Sequence, residues 1–242
     1  MILLRSLVYF LTLVVSVLLF SVPIVLLGGF LPARFSDSMA TRWGQLNLWL
    51  QRAICGLGYR LEGSGHLPDG PCVVMSKHQS TWETIGLRGI LKAEQSWVLK
   101  QELMRIPFFG WALRFAGAIP IDRSAGRRAV IKVVEVGLRR LAEGRYVIIF
   151  PEGTRTAPGQ RRKYGMGGAV LAQRSGVPVV PIAHNAGVFW RRRGVKKYPG
   201  TIRVVIGPTI PSEGRKAADI IQDVEHWIEN TQLQLPAKRD EE

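Results

Sequence analysis

At 242 residues and 47% apolar content, the chain supports one medium-sized domain with an ample core and an appendage, which excludes a disordered polypeptide. Thirty-three Lys and Arg against 18 Asp and Glu give a formal charge of +15, implying an anionic partner: nucleic acid, an acidic membrane surface or a phosphorylated substrate. Two cysteines, Cys55 in an apolar helical stretch and Cys72 in an expected core strand, exclude a disulfide framework and read as small core residues.

From Ser6 to Ala33 there is no charged residue. As a helix this run would extend about 42 Å, more than the ~30 Å hydrocarbon core of a bilayer, and its apolar part is longer than that of a secretory signal. Pro23 and Gly28-Gly29 are expected to kink or end it. A second helix is expected from about Ser36 to Leu57, with Met39, Trp43, Leu46, Leu50, Ile54 and Leu57 on its apolar face. Trp43 and Trp49 suit a membrane interface, and Arg34, Arg42 and Arg52 after the first segment predict that the body is cytoplasmic. The two helices fit either a spanning segment with its partner or a hairpin dipping into one leaflet.

Gly63 to Gly70 is turn-rich and reads as a domain boundary. The chain therefore divides into a membrane-associated helical hairpin over 1–60, a folded domain over 61–235 and a charged, frayed tail over 236–242. Beyond the boundary, strands are predicted at 71–76, 95–99, 118–121, 146–150, 178–183 and 201–206. Helices are predicted at 82–91, 108–116, 126–143, 166–175 and 216–230. This alternation predicts an α/β fold: a largely parallel or mixed sheet flanked by helices, behind an N-terminal hydrophobic helical membrane segment.

Chemistry concentrates at the expected strand ends. Lys77-His78-Gln79-Ser80-Thr81-Trp82-Glu83 joins a strand to a helix, where ligands collect in open α/β sheets. A carboxylate five residues after a histidine can hold one ring nitrogen and leave the other free to take a proton. Ser80-x-x-Glu83 equally fits a capping box that only closes a helix. Phe150-Pro151-Glu152-Gly153-Thr154-Arg155 follows another strand; Gly153 permits close backbone approach, and the Arg155 fork suits phosphate, unless Glu152 and Arg155 form a surface ion pair. Gly117 to Arg123 repeats the layout, with Arg123 offered to phosphate or Asp122 and Ser124 capping a helix. Lys100 and Lys163 stand near the same edge, where an isolated lysine is also ordinary solvated surface.

Val170 spoils a dinucleotide glycine pattern at Gly165 to Gly168. His184 has no carboxylate near it in sequence, and His66 and His226 read as surface or structural histidines. No Gly-x-Ser-x-Gly, His-Glu-x-x-His, Cys-x-x-Cys or Gly-x4-Gly-Lys-Ser/Thr run occurs, which disfavours a serine hydrolase, a zinc enzyme and a P-loop nucleotidase. Basic residues at strand ends, beside acids and behind an apolar segment, argue against nucleic acid as the partner.

Over roughly residues 70–190 these blocks resemble the glycerolipid acyltransferase family. His78-x4-Glu83 matches its His-x4-acid motif. Lys100 with Ile106 to Trp111, then Gly117 to Arg123, matches the second block, Phe150 to Arg155 the third, and Val177 to Ile182 the fourth. Glu83 stands where Asp is usual and Lys77 where Asn often precedes the histidine. The resemblance implies transfer of an acyl chain from acyl-CoA or acyl carrier protein, as co-substrate and with no resident cofactor or metal, to the sn-2 hydroxyl of lysophosphatidate. It implies His78 as base and Glu83 as its orienter. Arg155, Arg123, Lys100 and Lys163 would hold the phosphate, with Glu152 orienting that cluster and Gly153 and Thr154 completing the phosphate site. Phe108, Phe109 and Trp111 would line an acyl-chain site or be ordinary core. A lipid bilayer is the implied partner, at the cytoplasmic face of a bacterial inner membrane. Arg191-Arg192-Arg193 and Lys196-Lys197 suit that surface, an acidic carrier or a solvated loop. Another lysolipid acceptor, or an inactive lipid-binding protein of the same fold, are the competing expectations.

Overall fold

The computed structural model describes residues 1–239. α1 (Ile2–Leu27) continues through Pro23 and ends at Gly28. α2 (Ala33–Cys55) follows, closed by Gly56 in the left-handed region. The strands are β1 (Leu57–Glu62), β2 (Val73–Ser76), β3 (Gln95–Lys100), β4 (Ile119–Ile121), β5 (Tyr146–Ile149), β6 (Val179–His184) and β7 (Gly200–Ile206). Between and after them come α3 (Trp82–Ile90), α4 (Phe109–Phe115), α5 (Arg127–Ala142), α6 (Gly167–Ser175), the short α7 (Ala186–Phe189) and α8 (Ala217–Gln234).

The strands form one sheet in the order β1-β7-β6-β2-β5-β3-β4. All neighbours are parallel except β6 and β7, so the sheet is mixed, as the alternation allowed. Alternate strand residues feed two cores. Val74, Ile148, Val180 and Ile182 meet α1, α2 and α3 on the front face. Val73, Met75, Val147 and Ile149 meet α5, α6 and α8 on the back. Each fully buried Val or Ile contributes roughly 1.5–3 kcal/mol.

α1 is inside out compared with a soluble helix. Ser6, Tyr9, Ser16 and Ser21 face the protein, while Leu4, Phe10, Leu11 and Leu19 face outward. Of these inner serines, Ser16 is met by α2: Asn47 Nδ2 and Trp43 Nε1 donate to Ser16 Oγ at 3.0 and 3.1 Å. α2 meets α3 where two glycines remove side chains; a Cβ on Gly44 would lie 2.6 Å from the Gly89 nitrogen.

Several expectations change. β1 precedes the turn-rich 63–70 segment and lies in the sheet beside β7, so that segment is a surface connection within the fold. α1 and α2 pack into the front core. The apolar face predicted for α2 is only part of what it buries, because α2 is sandwiched between α1 and α3; Asp37, Asn47 and Gln51 are buried too. Asp37 is held by Arg88 at 2.8 Å and Arg145 at 2.9 Å. Of the expected tail, Pro236 and Arg239 are tied down by Asn185 and Val188; residues 240–242 lie outside the described residues.

Candidate active site

β2, β5, β3 and β4 are adjacent and parallel, so the loops after all four emerge at one edge. That topology brings together His78, the Phe150–Arg155 loop, Lys100 and Arg123.

His78 Nδ1 lies 2.7 Å from Glu83 Oε1. The same oxygen accepts the Gln79 and Ser80 N–H groups at 2.7 Å each. Glu83 thus orients the histidine and closes the loop before α3, combining the two alternatives the spacing left open. Burial alone pushes the Glu83 carboxyl up; the hydrogen bond from His78, the electrostatic effect of the His184 and His78 rings and the Ser80 N–H together outweigh it, and the group lies below its ordinary value. A carboxylate here requires Nδ1–H as donor, which leaves Nε2 bare. The imidazole stacks on Phe150 with centroids 4.0 Å apart and 13° between planes. The His78 N–H donates to Glu152 Oε2 at 2.7 Å and the Thr156 N–H donates to the His78 carbonyl at 2.7 Å, so the loop after β5 clamps the histidine backbone from both sides.

His184 is a different case. Its Nε2 donates to the Lys77 carbonyl at 2.8 Å and its Nδ1 accepts the Ala186 N–H at 3.3 Å. Both nitrogens are occupied, and full burial holds its pKa below the ordinary histidine value. It is a neutral structural histidine.

His78 opens onto a cavity of about 570 Å³. Its walls are apolar: Phe20 and Ile24 from α1, Trp43 from α2, Leu99 from β3, and Phe109, Ala112 and Leu113 along one face of α4 with Ala116 just after it. Its mouth is basic, carrying Lys100, Arg123, Arg155, Arg192 and Arg193 with Thr154. Burial, first, holds Arg123 and Arg155 below their ordinary values; Arg155 adds to the effect on Arg123 and Arg192 to that on Arg155, while Glu102 and Glu83 oppose it from a distance. Among the described residues neither forms an ion pair, and Arg155 Nε has no hydrogen-bond partner. Like charges gathered with no carboxylate in direct contact make an anion site. Lys100 is less committed, being paired with Glu102 at 2.7 Å.

A family model described as acyltransferase matches residues 58–185. The chain belongs to the acyltransferase family. A 1-acyl-sn-glycerol-3-phosphate acyltransferase of Pseudomonas aeruginosa is 46% identical over 196 residues, covering 80% of this chain and 76% of that protein. The human 1-acyl-sn-glycerol-3-phosphate acyltransferase beta is 29% identical, and the match covers 68% of this chain but 60% of the human protein. The crystal structure of the 1-acyl-sn-glycerophosphate acyltransferase PlsC from Thermotoga maritima shares the fold, with a TM-score of 0.77 over 97% of this chain and 98% of that one at 19% identity.

Within this acyltransferase the site corrects four sequence expectations. Lys163 is exposed and away from the cavity, because the loop after β5 turns outward over 159–163 before Tyr164 re-enters the core. Glu152 is buried and reaches Lys77 and the His78 backbone, so it neither orients the arginines nor pairs with Arg155. Gly153, at φ 68, shapes the exposed turn and does not line the cavity. Phe108 and Trp111 point outward, with rings 5.3 Å apart; only Phe109 of the expected three aromatics lines the cavity, since helical spacing puts residues 109, 112, 113 and 116 on one side. Sequence reasoning placed Arg192 and Arg193 on a membrane or carrier surface and gave α1 and α2 no part in the cavity. The polar residues Ser6, Tyr9, Ser16 and Ser21, all on one side of an otherwise apolar α1, were the available sign of an inward face.

Proposed function

We propose that this acyltransferase moves an acyl chain from a thioester to the free sn-2 hydroxyl of 1-acylglycerol-3-phosphate, giving phosphatidate. The observation that carries this reading is the position of His78: its bare nitrogen lies between an apolar cavity suited to a chain and an unpaired arginine cluster suited to a phosphate. The names of the relatives support the same acceptor.

In this reading Arg155 and Arg123, with Arg192 and Arg193, hold the phosphate, and the cavity holds an acyl chain. The hydroxyl oxygen attacks the thioester carbonyl carbon while His78 Nε2 removes its proton. Glu83 stabilises the imidazolium that forms. The C–S bond then breaks, the ester forms, and His78 returns the proton to the leaving thiolate of coenzyme A or acyl carrier protein. No acyl-enzyme is needed. A positioned base of this kind contributes roughly 10²–10⁴ in rate.

The same reading places the protein on the cytoplasmic face of a bacterial inner membrane. α1 is long and apolar enough to cross a bilayer, yet both its ends are tied to the body. The Lys197 N–H donates to Ser6 Oγ at 2.8 Å, and Gly28 packs on Phe115. A helix held this way lies along the membrane with its outer leucines in one leaflet. Phe30, Phe108 and Trp111, all exposed, extend that apolar surface.

The test is acyl transfer by detergent-solubilised protein offered labelled acyl-CoA or acyl carrier protein with lysophosphatidate or lysophosphatidylcholine, against His78→Ala as blank. Phosphatidate formed only from lysophosphatidate supports the reading. Transfer only to the choline lipid overturns the acceptor, and no transfer to either overturns the reaction.

A further inference from the structure

Behind the site lies a buried ion cluster that the transfer chemistry does not touch. Val73 and Met75 project into the back core. Lys77 continues that alternation, while His78 turns to the cavity. Lys77 is 1% exposed, and its Nζ lies 2.9 Å from Glu152 Oε1 and 2.8 Å from Glu229 Oε1 on α8. Tyr164 Oη donates to that Glu229 oxygen at 2.8 Å. The other oxygen of Glu152 accepts the His78 N–H. One continuous path therefore runs from α8 through Lys77 and Glu152 to the backbone of the histidine.

Stability is a poor account of this path. Apolar replacement of buried ion pairs is often neutral or stabilising, and here two carboxylates face one buried ammonium. What the charges supply is direction. An ionised Glu152 accepts the His78 N–H more strongly than a protonated one, and Lys77 is the cation beside it. We infer that Lys77 is a positioning residue for the transfer reaction, held by Glu229 and Tyr164 so that Glu152 stays ionised and fixes the His78 backbone. Burial holds the Glu152 carboxyl above its ordinary value even with Lys77 beside it, and Lys77 is the main group pulling it back down, so removing that cation leaves only the burial penalty and the weaker hydrogen bonds. Also facing the cluster are Arg161, 3.5 Å from the far oxygen of Glu229, Glu225, within electrostatic reach of Tyr164, and the buried His184, on the Lys77 carbonyl and within electrostatic reach of its ammonium. A second tie runs parallel: Gln79 Nε2 donates to Gln232 Oε1 at 2.8 Å, and Gln232 Nε2 donates to the His184 carbonyl at 2.9 Å.

The inference rests on His78 being the base. The test measures kcat and KM of the full-length, detergent-solubilised protein with lysophosphatidate and acyl-CoA, well below each variant's melting temperature. Lys77→Met should lower kcat about ten-fold with both KM values within about twofold, as expected of a misplaced base rather than a lost substrate contact. The defect should shrink as pH rises from about 6 to about 9, because Glu152 without its cation ionises only at higher pH. Adding Glu152→Gln should leave the loss in place and remove its pH dependence, since an amide is a neutral acceptor that cannot ionise. A kcat within about twofold of wild type at every pH, or a pH-independent loss in Lys77→Met itself, overturns the inference. Should Lys77→Met not fold, Glu229→Leu decides: it removes one of the two carboxylates holding Lys77, and an unchanged kcat overturns the inference. A His78→Ala protein that still turns over would sink the reading of the site; an inactive His78→Ala beside unaffected Lys77 and Glu229 variants would sink only the positioning role.

Discussion

Glu83 Oε1 and His78 Nδ1 stand 2.7 Å apart, and the same oxygen takes the N–H groups of Gln79 and Ser80. One oxygen therefore sets the tautomer of the histidine and the shape of the loop that carries it. Replacing Glu83 by Gln removes the charge that stabilises the imidazolium but keeps the shape. Glu83→Gln should lower kcat by roughly 10²-fold or more while His78→Ala lowers it by roughly 10²–10⁴-fold, both with folded protein. Steady-state rates together with circular dichroism check this; a Glu83→Gln protein at wild-type turnover would remove Glu83 from the mechanism.

The same carboxylate makes stability depend on pH. Its folded pKa lies below the ordinary value of 4.5. A carboxyl lowered on folding contributes stability that is fully present above the unfolded value and is lost as pH falls through the folded one. The melting-temperature gap between wild type and Glu83→Gln should be widest above about pH 4.5 and narrow below it. A gap that widens on acidification would contradict the assignment.

Arg155 lines the cavity mouth without a direct ion pair among the described residues, whereas Lys163 is exposed elsewhere. Charge-assisted hydrogen bonds contribute about 1.5–3 kcal/mol each. Arg155→Ala should therefore raise KM for lysophosphatidate about ten-fold or more with a smaller change in kcat, and Lys163→Ala should change neither beyond about twofold. Initial rates at varied acceptor settle it, and the reverse ranking would return Lys163 to the site.

The sequence was legible wherever chemistry and backbone pattern coincide. His78 and Arg155 stand at the ends of apolar runs, and parallel pairing of β2, β5, β3 and β4 carries such ends to one edge. Three things were not legible. Glu152 and Arg155 share a loop, but which core each enters depends on the turn at Gly153. Phe108, Phe109 and Trp111 look alike as a run, and only the register of α4 separates the cavity wall from the outer surface. Lys77 and Glu229 are 152 residues apart, and no local signal relates them.

Gly44 and Gly89 show how closely α2 is seated on α3. A Cβ on Gly44 would meet the backbone of Gly89 and the Ile85 carbonyl, which cannot swing aside as a side chain can. Gly44→Ala should destabilise the protein by about 1–3 kcal/mol, the usual cost of overpacking. Since Trp43 also lines the cavity, the shift should reduce turnover as well. Thermal unfolding in detergent measures the first effect, and a melting temperature equal to wild type would mean that the helices can separate without cost.

Phe108 and Trp111 offer the sharpest separation of membrane contact from catalysis. Both are exposed, and Phe108 sits at φ 58, a conformation that costs a bulky residue on the order of 1–3 kcal/mol. Glycine adopts that backbone freely, so Phe108→Gly relieves the strain while deleting the ring. If the rings serve the bilayer, Phe108→Gly and Trp111→Ser should each weaken sedimentation with anionic vesicles. Turnover in detergent micelles, where docking to a bilayer is not required, should stay within about twofold of wild type. Lost micellar turnover with undiminished vesicle binding would put the two aromatics back in the acyl-chain site.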